Sequence, residues 1–131
     1  MSPKLVNASR SRKRILDLHE RERELLKALV DCRSLLKGSV YELKTRCGKP
    51  SCACARGERH RAMVLSWSQG GKTKLMTVQA GDLQRLIRLT GEYRSFRQVR
   101  AQLVKLQREL LSEVDRLEAA LREASPRPNG S

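Results

Sequence analysis

Residues 62–78 read AMVLSWSQGGKTKLMTV. Two runs rich in strand formers, 62–68 and 72–78, flank Gln69-Gly70-Gly71. Adjacent glycines tolerate the positive φ that a tight hairpin turn needs, so the stretch reads as a β-hairpin. Parity puts Lys72, Lys74 and Met76 on one face of the return strand and Leu75 on the other. Upstream, residues 39–46 (SVYELKTR) alternate through Tyr41, Leu43 and Thr45 and read as a further strand.

The hydrophobic period changes on both sides of this segment. Over 11–37, Ile15, Leu18, Leu25, Leu29, Cys32 and Leu36 recur at helical steps, with Glu22 filling one slot of the stripe. Ser9 or Ser11 suits the N-cap, and Gly38 suits the stop. From 81 to 123 the steps through Leu86, Leu89, Tyr93, Phe96, Val99, Leu103, Leu106, Leu110, Val114, Leu117 and Leu121 are all three or four. That is the coiled-coil period. Gly91 falls inside this run and is expected to weaken the helix by about 1 kcal/mol.

The expected fold is therefore α+β. Long N- and C-terminal helices pack as an antiparallel coiled coil, with a small antiparallel β-sheet and a Cys/His loop between them. The expected divisions are a disordered start at 1–10, a helix at 11–37, the sheet and loop at 38–80, a long helix at 81–123 and a disordered tail at 124–131. Each helix presents an apolar seam. The seams can cover each other, or a second copy of the chain or a partner protein can cover them.

Charge points to function. The chain carries 28 Lys/Arg against 14 Asp/Glu, a net +14 in 131 residues. Residues 37–100 hold +10 of it, whereas residues 101–131 are neutral. A concentrated positive field attracts polyanions and releases their counterions. The expected partner is a nucleic acid, duplex DNA before RNA. The residues expected to reach phosphates are Lys44, Arg46, Lys49, Arg56, Arg59, Arg61, Lys72, Lys74, Arg94 and Arg97. Trp67 is placed either to stack on a base or to anchor the small β layer, with the anchor role favoured. No run approaches the ~20 apolar residues of a membrane span. The start, MSPKLVNASRSRKR, lacks the apolar centre of a secretory signal, so the expected compartment is the cytoplasm.

Three cysteines and a histidine form the chemically specific cluster, Cys47-x4-Cys52-x-Cys54-x5-His60. Three thiolates and an imidazole are a tetrahedral zinc set, and a Gly-Pro turn between the first two ligands allows them to converge. One structural zinc is expected on these residues. Free thiols, a disulfide or another metal are the competing readings, and a lasting disulfide is disfavoured in a reducing compartment. Cys32, on the helical stripe, reads as a small core residue, and His19 as solvated surface. A zinc site filled by four protein ligands has no open position, so no catalysis is expected. The echo of a P-loop in Gly70-Gly71-Lys72-Thr73 fails, because Ser66 stands where its first glycine belongs and the string joins two strands.

Two rival functions follow from the same residues. One is a coiled-coil adaptor or scaffold whose basic centre docks an acidic protein. The other is a thiol or metal sensor in which the loop cysteines exchange with Cys32.

The strings Gly38-Ser39-x-x-Glu42, Arg46-Cys47-Gly48-Lys49-Pro50-x-Cys52-x-Cys54-Ala55, Leu65-Ser66-Trp67-Ser68, Gly70-Gly71-Lys72-Thr73 and Tyr93-Arg94-x-Phe96-Arg97 resemble a family of small uncharacterised bacterial proteins. Its marks are an RCGKPxCxCA core and a GGKT hairpin. The resemblance covers roughly residues 38–100 and departs from the pattern at Arg61-Ala62. It implies an association with mobile elements, hence a role as an accessory factor. At the level of fold the hairpin also resembles the three-stranded DNA-binding sheets of phage-type integrase arms.

Overall fold

The computed structural model describes residues 2–45, 57 and 60–128. It is α+β: helix α1 (Pro3–Val30), strands β1 (Ser39–Thr45), β2 (His60–Gln69) and β3 (Lys72–Thr77), then helix α2 (Leu83–Leu121). The strands form one antiparallel sheet in the order β1-β2-β3. The chain divides into two compact units. One comprises residues 1–31 and 98–131, the other residues 32–97. No helix among the described residues is long and apolar enough to cross a membrane.

In the helical unit, α1 begins at Pro3 rather than at residue 11, so the expected disordered start is helical from its third residue. Ser2 is the N-cap. Its backbone is extended, its Oγ accepts the Leu5 N–H at 3.3 Å, and Pro3 follows at the first helical position. Neither Ser9 nor Ser11 caps the helix, and Ser11 is instead buried within it. Leu18 and Leu25 of α1 form a buried cluster with Leu106 of α2, and Val99, Leu103 and Leu110 pack around it. The ion pairs Lys4–Glu123 (3.1 Å) and Arg14–Glu109 (3.9 Å) match rising positions on α1 with falling positions on α2 and the residues just past its end. The two segments therefore run in opposite directions.

α1 stops at Val30, earlier than the expected 37. Asp31 caps it, its N–H reaching the Lys27 carbonyl at 2.9 Å. Leu36 keeps the helical spacing but belongs to the sheet unit. Its N–H donates to the Leu89 carbonyl at 3.0 Å, and its side chain joins the cluster under the sheet. Cys32 lies past the helix end. It is a half-buried free thiol, not a helical core residue, with Sγ 3.9 Å from the Ser34 carbonyl.

In the sheet unit, Leu65 of β2, Val78 and Leu86 of α2 are the buried centre, and Val40, Met63, Trp67, Leu83 and Leu36 pack against it. Gly70 (φ 57°) and Gly71 (φ 76°) turn β2 into β3, with Gln69 paired to Lys72 across the two-residue loop. Both φ values are positive, as the mirror-type hairpin turn demands. The strands extend slightly beyond the expected 62–68 at both ends and stop at Thr77 rather than 78 in the return. α2 runs through Gly91 without a break for 39 residues. The conformational cost of one glycine is small beside the packing of Leu86, Leu89 and their neighbours along the helix.

Gly38 is a packing glycine, not a helix stop. A Cβ there would lie 2.9 Å from the Ser66 carbonyl oxygen and 3.1 Å from Leu65 Cδ1. Gly38→Ala is expected to destabilise the protein by about 1–3 kcal/mol, the range for overpacking a tight contact. Gly81→Ala, with open space around its Cβ, serves as the control and should stay close to wild type. Urea titration followed by circular dichroism measures both. Gly91→Ala should have the opposite sign. The added Cβ meets only the Arg94 guanidinium at 3.9 Å, and the helix gains about 0.5–1 kcal/mol, read in the same titration.

Candidate nucleic-acid interface

The strand register fixes where the charged side chains point. Pairs Val40–Leu65, Glu42–Met63 and Lys44–Arg61 join β1 to β2, and Leu65–Met76, Trp67–Lys74 and Gln69–Lys72 join β2 to β3. Since cross-strand partners share a face, Leu65 carries Lys44, Arg61, Lys72 and Lys74 with it to the side that packs on α2. The other face presents Ser39, Tyr41 and Leu43, then Ala62, Val64, Ser66 and Ser68, then Thr73, Leu75 and Thr77. None of these is charged, in a chain where 32% of residues are. The sheet thus segregates its charge. On the α2-facing side Leu65, Val40, Met63 and Trp67 are covered, Met76 on the edge strand stays exposed, and the basic groups emerge toward the two ends.

At one end Lys44 and Arg61 stand directly opposite each other, and Arg61 Nε lies 3.7 Å from Glu42 Oε1. At the other, Lys72 and Lys74 are exposed beside the hairpin turn. Trp67 is half-buried against the leucine cluster, and its Nε1–H donates to Gln69 Oε1 at 3.2 Å. Its contacts are those of an anchor for the β layer.

Of the residues expected to reach phosphates, six fall in the described region. Lys44, Arg61, Lys72, Lys74, Arg94 and Arg97 are all exposed. Arg46, Lys49, Arg56 and Arg59 lie outside the described residues, as do Cys47, Cys52 and Cys54. His60 opens β2 with its backbone opposite Thr45. Among the described residues no group of three or more His, Cys, Asp or Glu is placed to hold a metal ion.

The structure adds four basic residues to the same unit. Arg33 and Lys37 join it because α1 ends at Val30, and Arg85 and Arg88 are exposed on the first turns of α2. The position of the helix end was the missing signal for the first pair. By sequence, residues 32–97 carry a net +10 and the helical unit a net +4. Partnering differs as sharply. Among the described residues of the sheet unit the sole ion pair is Arg61–Glu42, whereas the helical unit has seven, from Lys4–Glu123 to Arg116–Glu113. His19 belongs to that second set, exposed and 3.5 Å from Glu22.

A family described as a domain of unknown function (DUF6788) matches residues 15–89. The chain belongs to the DUF6788 family. The matched region runs from Ile15 in α1 to Leu89 in α2, and so includes the whole sheet, the Cys/His segment and the Lys72–Lys74 hairpin. No curated protein and no solved structure matches the chain.

Proposed function

We propose that this DUF6788 protein binds nucleic acid through its sheet unit, with duplex DNA as the preferred form and RNA second, and that it does so without catalysis. The observation that carries the reading is the uncompensated charge of that unit: ten described Lys and Arg side chains, all exposed, share one ion pair. Unpaired cations at a protein surface are the groups that displace counterions from a phosphate backbone. Lys44 and Arg61 at one end of the sheet, Lys72 and Lys74 at the other, and Arg94 and Arg97 on α2 supply phosphate contacts. Such contacts set orientation and affinity rather than base sequence.

In this reading Cys47, Cys52, Cys54 and His60 hold one structural zinc ion. The donor set has the composition of a closed tetrahedral site, and the metal would supply folding free energy to a unit whose buried cluster is small. The basic segment Arg46–Arg59 is then pinned beside Arg61. The helical unit pairs as an antiparallel coiled coil. The RCGKPxCxCA and GGKT strings support a role as an accessory factor of a mobile element in the cytoplasm.

Fluorescence anisotropy on a labelled duplex tests the binding. Log K should fall linearly with log salt between 50 and 200 mM, and the Lys72→Ala/Lys74→Ala variant should flatten that slope by about 2, one for each phosphate contact removed. Both side chains are exposed, so the variant should unfold with the wild type. Salt-independent affinity, or an unchanged slope, rejects the assignment. Absence of binding to duplex and single strands alike favours an acidic protein partner instead.

Elemental analysis of protein purified under reducing conditions should find one zinc per chain. Cys52→Ser should lose it and lower the melting temperature, and a chelator should do the same to wild type. Protein free of metal and indifferent to chelation removes zinc from the reading.

A further inference from the structure

Helix α1 carries two apolar stripes, and the fold covers one. Ala8, Ser11, Leu18 and Leu25 form the buried stripe. Leu5, Leu16, Leu26 and Val30 form the other, with exposures of 58%, 67%, 40% and 80%. At about 100° per residue these four fall within a sector of about 80°, beside the buried stripe, and Arg12, His19 and Arg23 stand between them in the same sector. Scattered single leucines on a surface need no explanation, but four aligned along the whole of a 28-residue helix form a seam.

The charge of the same helix identifies what covers that seam. Residues 4–14 contain five bases and no acid, whereas residues 17–31 contain five acids and three bases. The helix is therefore basic in its first half and acidic in its second. A parallel copy would oppose like halves. An antiparallel copy brings unlike halves together and is self-complementary, as a two-fold interface must be. Arg12, within this sector, and Lys13, at its edge, make no ion pair within the chain among the described residues and remain free for such contacts.

We propose that α1 pairs through this second stripe with α1 of a second copy of the chain, antiparallel, about a two-fold axis near Leu16. Leu16 then lies next to its own counterpart, and Leu5 faces Leu26 and Val30 of the second copy. Two helical pairs joined in this way form a four-helix arrangement, which buries leucines that a two-helix unit leaves in water. The inference concerns the helical unit alone and stands whether or not the sheet unit binds nucleic acid.

Sedimentation equilibrium of the full chain tests it. The expected mass is twice the 14.9 kDa of one chain. Leu16→Glu and Val30→Glu should each weaken dimerisation at least tenfold. Both side chains are exposed, so helical circular dichroism should be retained, which separates lost pairing from lost folding. Carbodiimide crosslinking of mixed isotope-labelled and unlabelled chains reads the direction: Lys13 of one copy should link to Glu20 of the other. A monomer at ~50 µM, a dimer that survives both substitutions, or interchain links between Lys27 and Asp31 would overturn the proposal.

Discussion

The packing of Leu65 on Val78 and Leu86 decides what the sheet unit shows to solvent. Side chains alternate across a strand, so fixing one inward residue fixes every second residue on that strand and its partners. With Leu65 inward, Val40, Met63 and Trp67 follow it into the cluster. Lys44, Arg61, Lys72 and Lys74 share that parity but stay exposed, Lys44 and Arg61 near the ends of their strands and Lys72 and Lys74 on an edge strand that is exposed along its whole length. A register slip of one residue would bring Val64 and Ser66 to the helix and turn Leu65 and Trp67 away. Turning Leu65 away from Val78 and Leu86 forfeits about 1.5–3 kcal/mol, and the slip would also take Val64, 1% exposed on the other face, out of its own buried position. Gly38 adds a second constraint at the start of β1, because the close approach of its backbone to Ser66 leaves no room for a side chain.

The two units distribute charge by different rules. In the helical unit, bases and acids alternate at three- and four-residue spacing, and pairs such as Arg21–Glu24 and Lys27–Asp31 close along one helix. Exposed pairs of this kind add between zero and about 1 kcal/mol each, so their main consequence is a weaker field, net +4 against the +10 of the sheet unit. The sheet unit has few acids to answer its bases, and its field is left standing. Mutual repulsion of those charges works against folding, in a unit whose buried side chains are Val64, Leu65, Val78, Leu86, Leu89 and Thr90 among the described residues. A metal-pinned loop offsets that cost on the proposed reading, and a polyanion would offset it further by binding only the folded state.

How much of this was legible depended on whether a local signal met a tertiary one. The hairpin was readable because Gly70-Gly71 and the alternation on either side state the same structure, and no distant contact contradicts it. The long period of α2 was readable for the same reason, and Gly91 could not break it against the packing of its neighbours. The ends of α1 were not readable from periodicity. Ser2-Pro3 is a complete start signal in two residues, but it precedes a polar run, Asn7–Arg14, that carries no stripe except through Ala8 and Ser11. At the other end Leu36 continues the spacing of Leu25 and Leu29, yet the sheet claims it through Leu89 and the cluster. Gly38 then looked like the stop for a helix that had ended at Val30. The exposed basic residues could be named one by one, but their lack of partners required the fold, because whether a base is paired depends on what the fold sets beside it.

The proposed pairing through α1 and the proposed binding through the sheet unit have a joint consequence. A dimer carries two copies of the +10 unit, and a long polyanion engaged by one copy meets the second at high effective concentration. Phosphate contacts are individually weak and strongly screened, so a single basic patch holds duplex DNA loosely at physiological salt. Doubling the patch multiplies affinity without any base-reading contact. The helical unit, with a net +4 and most of its acids in ion pairs, suits this division better than the +10 sheet unit. On this argument assembly is not a rival to nucleic-acid binding but the means by which an unspecific, salt-sensitive surface becomes strong enough to act.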